Sequence, residues 1–477
     1  MKTKGLALVL TLTTFFLGAR LLRSQQFPQL PDTPAAHQFS AWLNVFNGGE
    51  VEAMARFLEQ SYPTHRSSAE DLVRFRKQTG GFVFVKVEES TATQFNGIVK
   101  ERDSDQYARV EMEVDAAEPH AITKLGIRAV PRPAEIPMPR MSQEEAIAAL
   151  RGELEKSAAA DEFSGAALVA KNGDAIFQQA YGLADRSKKI PNQIDTRFRI
   201  GSMNKMFTAV CVLQLAQAGK INLGDSLGKY LPDYPNKDVA SKVTVHELLT
   251  HTGGTGDIFG PEYQQHRLEL RSLQDYVNLY GKRGFAFEPG SRWEYSNYGF
   301  LLLGVMVEKV SGQSYYDCVR EHVYKPAGMN STGSEPESEN IAMRSVGYMK
   351  PDDGAWQPNT DTLPFRGTSA GGGYSTVGDL LRFANALLHH TLLDAKYTEL
   401  LTTGKVDTPR GDKYAYGFED QMRGSVRCYG HGGGAPGMNG DLVICPQSGY
   451  TIVVLANMDP PAAQKISRFI ADRLPER

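Results

Sequence analysis

The stretch "VPRPAEIPMPR", Val130 to Arg140, carries four prolines in eleven residues, and no other feature limits the fold so severely. Proline lacks a backbone N–H, and its ring pushes the preceding residue out of helical geometry. Neither a helix nor a central strand can run through such a segment. It reads as an extended linker, residues 131–141, that splits the chain into two bodies. A length of 477 residues agrees, since it exceeds one ordinary domain.

Ahead of the linker, "HQFSAWLNVFNGG", "VEAMARFLEQSY" and "SAEDLVRFRKQ" repeat apolar residues at helical spacing. The period then changes to two, in "GFVFVKVEE", "TQFNGIVKE", "YARVEMEV" and "AITKLGIRAV". Helices followed by antiparallel strands predict a small α+β domain over residues 35–130. Its element order and the opening "AWLNVFNGGEVEAMARFLE" resemble the nuclear-transport-factor-like cone fold. It offers no convergent His, Asp or Cys set, and reads as a folding unit, with substrate presentation or dimerisation as alternatives.

After the linker, "EEAIAALRGELEKSAA" has helical spacing and "FSGAALVAKNGDAIFQQAYG" reads as a hairpin turning at Asn172-Gly173. A long stretch of helices and loops follows. Strand-like segments return only near the end, in "VRCYGHG", "NGDLVICPQ" and "YTIVVLANM", before the amphipathic "AAQKISRFIADRL". Strands from both ends of this region must therefore join in one sheet, with helices inserted between them.

The N-terminal "MKTKGLALVLTLTTFFLGARLLRSQQ" has a basic start, an apolar run from Leu6 to Ala19 and then arginines. That is the pattern of a secretory signal peptide, residues 1–24, with Ala19 and Ser24 as alternative cleavage points. The run is shorter than the ~20 residues that span a bilayer, and a membrane association is expected only if this leader stays uncleaved. Export implies a periplasmic or secreted protein and gives the cysteines meaning. Cys211 lies on an apolar helix and is expected to be a buried thiol, whereas Cys428 and Cys445 flank "GHGGGAPGMNG" and would face each other across a hairpin. A net charge of -3 gives no reason to expect nucleic acid. A small molecule or peptide is the partner class left, and nothing fixes the oligomeric state.

"RIGSMNKMFTAV", Arg199 to Val210, allows two readings of Ser202. It opens a helix, or it is a nucleophile with Lys205 on the same face at i+3, helped by the positive helix terminus. A serine hydroxyl is inert at neutral pH without a base in hydrogen-bond reach. "WEYSNYGFLLLGVMVEKVSG" supplies Tyr295 and Asn297 just before an apolar helix, and "YGHGGGAPG" supplies His431 and a run of glycines. A phenol beside an ammonium is expected to ionise more readily, which would make Tyr295 the proton acceptor.

Ser-x-x-Lys, Tyr-x-Asn and His-Gly-Gly in this order resemble the serine β-lactamase and penicillin-binding protein superfamily, in its class C-type, esterase and D-aminopeptidase-like branch. "DTRFRIGSMNKMFTA", "VTVHELLTHTGG", "KPAGMNST" and "GTSAGGGYSTVGDLLRFANALL" extend the likeness across residues 142–475. The resemblance implies an α+β fold, an antiparallel sheet flanked by helices with a mostly helical subdomain, over residues 142–477. It also implies Ser202 as acylated nucleophile, Lys205 as its electrostatic partner and Tyr295 as general base and acid. Asn297 would bind a substrate amide or orient Lys205. His431 and Gly433 would line the substrate, and the N–H groups of Ser202 and Gly434 would form the oxyanion hole. No cofactor and no metal are implied. Where family members that hydrolyse β-lactams or trim peptides usually carry a lysine, this chain has His431, mostly neutral at pH 7. That favours an ester or amide substrate. A β-lactamase or DD-peptidase, and a penicillin-recognising protein that does not turn over, remain alternatives.

Two decoys fall to simple tests. "GTSAG", Gly367 to Gly371, spells a nucleophile elbow around Ser369, but the preceding "QPNTDTLPFR" is no strand. "HELLTH", His246 to His251, spaces its histidines five apart, where a zinc helix needs four.

Overall fold

The computed structural model describes residues 29–133, 135–351 and 354–477. The leader expected at residues 1–24 lies outside the described residues. Among the described residues no helix is long and apolar enough to cross a membrane.

The described residues open with three helices: α1 (Pro34–Gly48), α2 (Val51–Ser61) and α3 (Ala69–Thr79). Their starts are written locally. Thr33 caps α1 with proline at its first position, and Ser68 and Asp71 form a capping box on α3. A four-stranded antiparallel meander follows, β1 (Phe82–Ser90), β2 (Gln94–Glu101), β3 (Tyr107–Val114) and β4 (Ile122–Val130). Phe39 stacks on Phe95 at 4.2 Å between ring centres and Phe46 on Phe82 at 5.1 Å, so helices and sheet share an aromatic core of their own. The proline-rich segment begins directly after β4.

A second capping box, Ser142 with Glu145, starts α4 (Gln143–Ala159). The hairpin β5 (Gly165–Lys171) and β6 (Asp174–Tyr181) turns at Asn172 and Gly173, both at positive φ, as an Asn-Gly turn requires. The distant strands are β7 (Val406–Asp407), β8 (Lys413–Tyr414), β9 (Glu419–Arg423), β10 (Val426–Ala435), β11 (Met438–Cys445) and β12 (Tyr450–Ala456). They join the hairpin in one eight-stranded antiparallel sheet, in spatial order from β7 through β12 to β5 and β6. The sheet is apolar on both faces, which explains the unbroken run "TIVVLA" in β12. On one side Ile452, Val454 and Val443 pack on α4 and on the C-terminal helix Ala462–Ala471. On the other, Val453, Leu455 and Leu442 pack on Met203, Met206 and Phe207 of the inserted helical layer.

One detail departs from the simple reading of the sequence. The glycines after His431 do not form the hairpin turn; β10 runs through them to Ala435, and the turn falls at Pro436-Gly437. The bond between Cys428 and Cys445 joins β10 and β11 outside that turn, across 17 residues of sequence. Cys211 is buried and free, as is Cys318.

The two bodies meet through charge. Asp472 takes Arg132 and Arg423 at 3.1 Å each, Arg473 holds Asp105 at 2.7 Å, and Lys465 donates to the Gln78 carbonyl at 2.9 Å. Asp472 is almost fully buried, so its two guanidinium partners are what make its burial tolerable.

Closing a loop of this size restricts the unfolded chain by about 3 kcal/mol. The Cys428→Ala, Cys445→Ala double variant is therefore expected to lose about that much unfolding free energy in urea titrations. Reductant should lower the wild type equally and leave the variant unmoved.

Candidate active site

Ser202 sits in a 3₁₀ turn, Gly201–Met203, that leads into α5 (Asn204–Gln217). Gly201 takes φ +53, a conformation costly for any other residue, and this places Ser202 at the mouth of the helix. One turn on, Lys205 is fully buried and its Nζ lies 3.2 Å from Ser202 Oγ. The same nitrogen donates to Asn297 Oδ1 at 2.7 Å and to the Ala370 carbonyl. The "GTSAG" segment is thus a cradle and not an elbow. Its consecutive carbonyls at Thr368, Ser369 and Ala370 accept from Asn204, Thr208 and Lys205. Ser369 Oγ is buried against Gly304 without a partner, on the wrong side for chemistry.

Tyr295 and Asn297 are placed by the start of α6 (Asn297–Ser311). Ser296 caps that helix, accepting from Gly299 N at 3.0 Å, and donates to the Gly256 carbonyl. The cap therefore ties residues 255–257 to the site. Asp257 accepts from Asn297 N at 3.0 Å, from Asn297 Nδ2 at 3.2 Å and from Ile258 N at 2.8 Å. Asn297 is 7% exposed, and both ends of its amide are engaged inside the protein. Of its two expected tasks, the geometry gives it the orientation of Lys205 and not a substrate contact.

The Tyr295 phenol lies close enough to Ser202 for that side chain to pull its pKa down, and the Lys205 nitrogen lies 4.6 Å above the Tyr295 ring. The electrostatics reverse the simple expectation for this pair. Burial pushes the Tyr295 phenol well above its ordinary range, opposed by the Ser202 hydrogen bond and reinforced by Glu419 and Asp257. The lysine sits over the ring face, and the loss of water around the hydroxyl is the largest influence on the phenol. Burial meanwhile brings Lys205 down to about 7, against the opposing field of Asp257. At neutral pH the phenol stays protonated, and the amine is the group that can accept a proton.

His431 is the neutral group that the sequence leads one to expect. It is 3% exposed; Nδ1 donates to the Gly432 carbonyl, and Nε2 accepts from Tyr414 at 3.0 Å. Burial, with Lys205 nearby, drives it down to about 3, so it is a neutral wall and not an anchor for a substrate carboxylate. His251, held at φ +60, accepts from Ser296 N at 3.1 Å. Its ring packs on Tyr295 at 4.3 Å and Tyr414 at 4.6 Å. "HELLTH" thus contributes an aromatic support for Tyr295, while His246 bonds Tyr416 at 2.7 Å.

The glycines of β10 act by absence. A Cβ on Gly433 would stand 1.9 Å from the Ile200 carbonyl, and one on Gly201 would stand 3.0 Å from Gly434 N. Strand β9 stops opposite Gly430, so no strand pairs with the edge from His431 to Ala435 on that side, and Gly433 lies against the Ile200 carbonyl ahead of Ser202. Gly434 N thus lies beside Gly201, the residue before Ser202.

Gly433→Ala should drive strand and turn apart, lowering stability by about 1–3 kcal/mol in thermal melts and reducing reaction at Ser202. A Cβ on Gly432 would come within 3.1 Å of the end of the Gln464 side chain and make ordinary contacts otherwise, so Gly432→Ala is expected to remain close to wild type.

Residues 151–475 match the Beta-lactamase family. Penicillin-binding protein 4* of Bacillus subtilis is 29% identical over 320 residues, 62% of this chain and 69% of its own. A penicillin binding protein from Bacillus halodurans superposes with a TM-score of 0.62 at 35% identity, covering 67% of this chain and 99% of that one. A D-stereospecific amidohydrolase from Streptomyces sp. reaches 0.58 at 28% identity, covering 67% and 97%.

Proposed function

The chain belongs to the Beta-lactamase family, and on that premise we propose that it is an exported serine hydrolase whose Ser202 is acylated by an ester or amide, with D-amino-acid amides and peptides as the favoured class. One observation carries the reading. Lys205 Nζ meets Ser202 Oγ and two groups that can only accept, Asn297 Oδ1 and the Ala370 carbonyl. Those acceptors take two N–H bonds in either protonation state. The third direction, aimed at Ser202, then carries a hydrogen in the ammonium and a lone pair in the amine.

In this reading the neutral amine accepts the Ser202 proton as Oγ attacks the substrate carbonyl, and the N–H groups of Ser202 and Gly434 hold the oxyanion. Tyr295, the phenol beside Ser202, passes a proton to the departing nitrogen or oxygen and regains one as the Lys205 ammonium gives up the proton it took from Ser202. The bond to the leaving group breaks as the acyl ester forms, and water reverses these steps to free the acid and Ser202. The D-amide preference rests on the Streptomyces amidohydrolase and on the missing cation at His431. Export rests on the N-terminal leader and on the Cys428–Cys445 bond. The penicillin-binding relatives support one alternative, acylation by penicillin without turnover, which a slow deacylation rate would reveal.

Intact mass spectrometry after a fluorophosphonate probe tests the nucleophile. Labelling is expected in wild type and in Ser369→Ala, and its loss only in Ser202→Ala; retention in Ser202→Ala would sink the mechanism. Turnover of a D-aminoacyl amide, a chromogenic ester and a cephalosporin then ranks the substrate classes.

Because the reactive form is the deprotonated amine, the labelling rate should climb as pH rises through about 7, where Lys205 titrates. Lys205→Arg keeps the charge but cannot deprotonate, and should lose about 10²–10⁴ in rate together with that pH dependence.

A further inference from the structure

We propose that Asp257 is a positioning residue that aims the Lys205 lone pair at Ser202 by fixing which end of the Asn297 amide faces the lysine; this rests on the reading of Ser202 and Lys205 above. The two ends of an asparagine amide have nearly the same shape and opposite hydrogen-bonding character, one accepting and one donating. Which end faces Lys205 is decided by what the other end meets. That partner is Asp257, whose ionised carboxylate only accepts. Its Oδ1 is held by Ile258 N at 2.8 Å and Asn297 N at 3.0 Å, and its Oδ2 takes Asn297 Nδ2 at 3.2 Å. Asn297 Oδ1 must then point the other way, where it accepts from Lys205 at 2.7 Å.

The reversed amide would be damaging in both protonation states. An ammonium would lose an acceptor and face a donor. An amine would turn its lone pair to the Asn297 N–H and present only hydrogens to Ser202. The carboxylate therefore governs a proton acceptor it does not touch. It also withdraws Asn297 from the substrate, so acyl groups that carry no amide for that residue to grip are admitted without an unpaired donor. Three other titratable groups face Lys205: Tyr295 as a phenol beneath its nitrogen, and the neutral rings of His251 and His431. Asp257 is the acidic group whose field raises the lysine.

Asp257→Asn is a directed test. Its Oδ1 can keep the two backbone N–H groups, which leaves its Nδ2 facing Asn297 and forces that amide to invert. The experiment is the rate of fluorophosphonate labelling at Ser202 between pH 5 and 9, followed by intact mass in wild type, Asp257→Asn and Asp257→Glu, with a thermal melt of each. In Asp257→Asn the plateau rate is expected to fall about 10²-fold, in the inactivation step and not in probe affinity, while the acidic limb moves to lower pH. Asp257→Glu, which keeps an acceptor, should recover most of the rate. A wild-type plateau in Asp257→Asn would overturn the proposal. So would a slow variant whose acidic limb has not moved, or a Glu variant as slow as the Asn one. Wild type that is labelled elsewhere than Ser202 would overturn the underlying reading, and this inference with it.

Discussion

A lysine nitrogen taken wholly out of water is the constraint around which this molecule is arranged. A buried ammonium without partners is costly, and a protein meets that cost by supplying acceptors or by letting the group become neutral. Lys205 shows both. Asn297 Oδ1 and the Ala370 carbonyl receive it, and burial still brings it down to about 7. Each acceptor has to be held rigidly, and each draws on a different part of the chain. The carbonyl needs the "GTSAG" cradle, whose neighbours bind Asn204 and Thr208. The amide needs the Ser296 cap and the loop that ends in Asp257.

This division explains what could be read from the sequence. Ser202, Lys205, Tyr295 and Asn297 are visible because reactive side chains at fixed spacing leave a pattern. The hairpin at Asn172-Gly173 is visible because few residue pairs accept positive φ twice. Ala370 is invisible, since it contributes a carbonyl that every residue owns. Asp257 is invisible for another reason: it lies in "GDIFGPEYQQHRLELRSLQ", a stretch with no sustained apolar periodicity, and its partner is 40 residues away. His431 was legible as a site residue but not in orientation. Only the packed structure shows that Tyr414 and the Gly432 carbonyl claim both of its ring nitrogens.

The charge state of Tyr295 carries the same lesson. Proximity to a cation argues for a phenolate, yet the lysine approaches the ring face, and enclosure of the hydroxyl outweighs it. Contact in space does not by itself settle a protonation state; the loss of water can outweigh a nearby charge.

The order of strands in the large sheet has a consequence for how the chain is made. Strand β12, within the last thirty residues, lies between the hairpin β5–β6 and strands β10 and β11. The hairpin, laid down more than 250 residues earlier in sequence, has no neighbour on its inner edge until that strand arrives. Contacts of such sequence separation make for slow folding and leave an apolar edge exposed meanwhile. The body that holds the site therefore cannot assemble piecemeal as it is synthesised, whereas the aromatic unit ahead of the linker, built from local pairings, can.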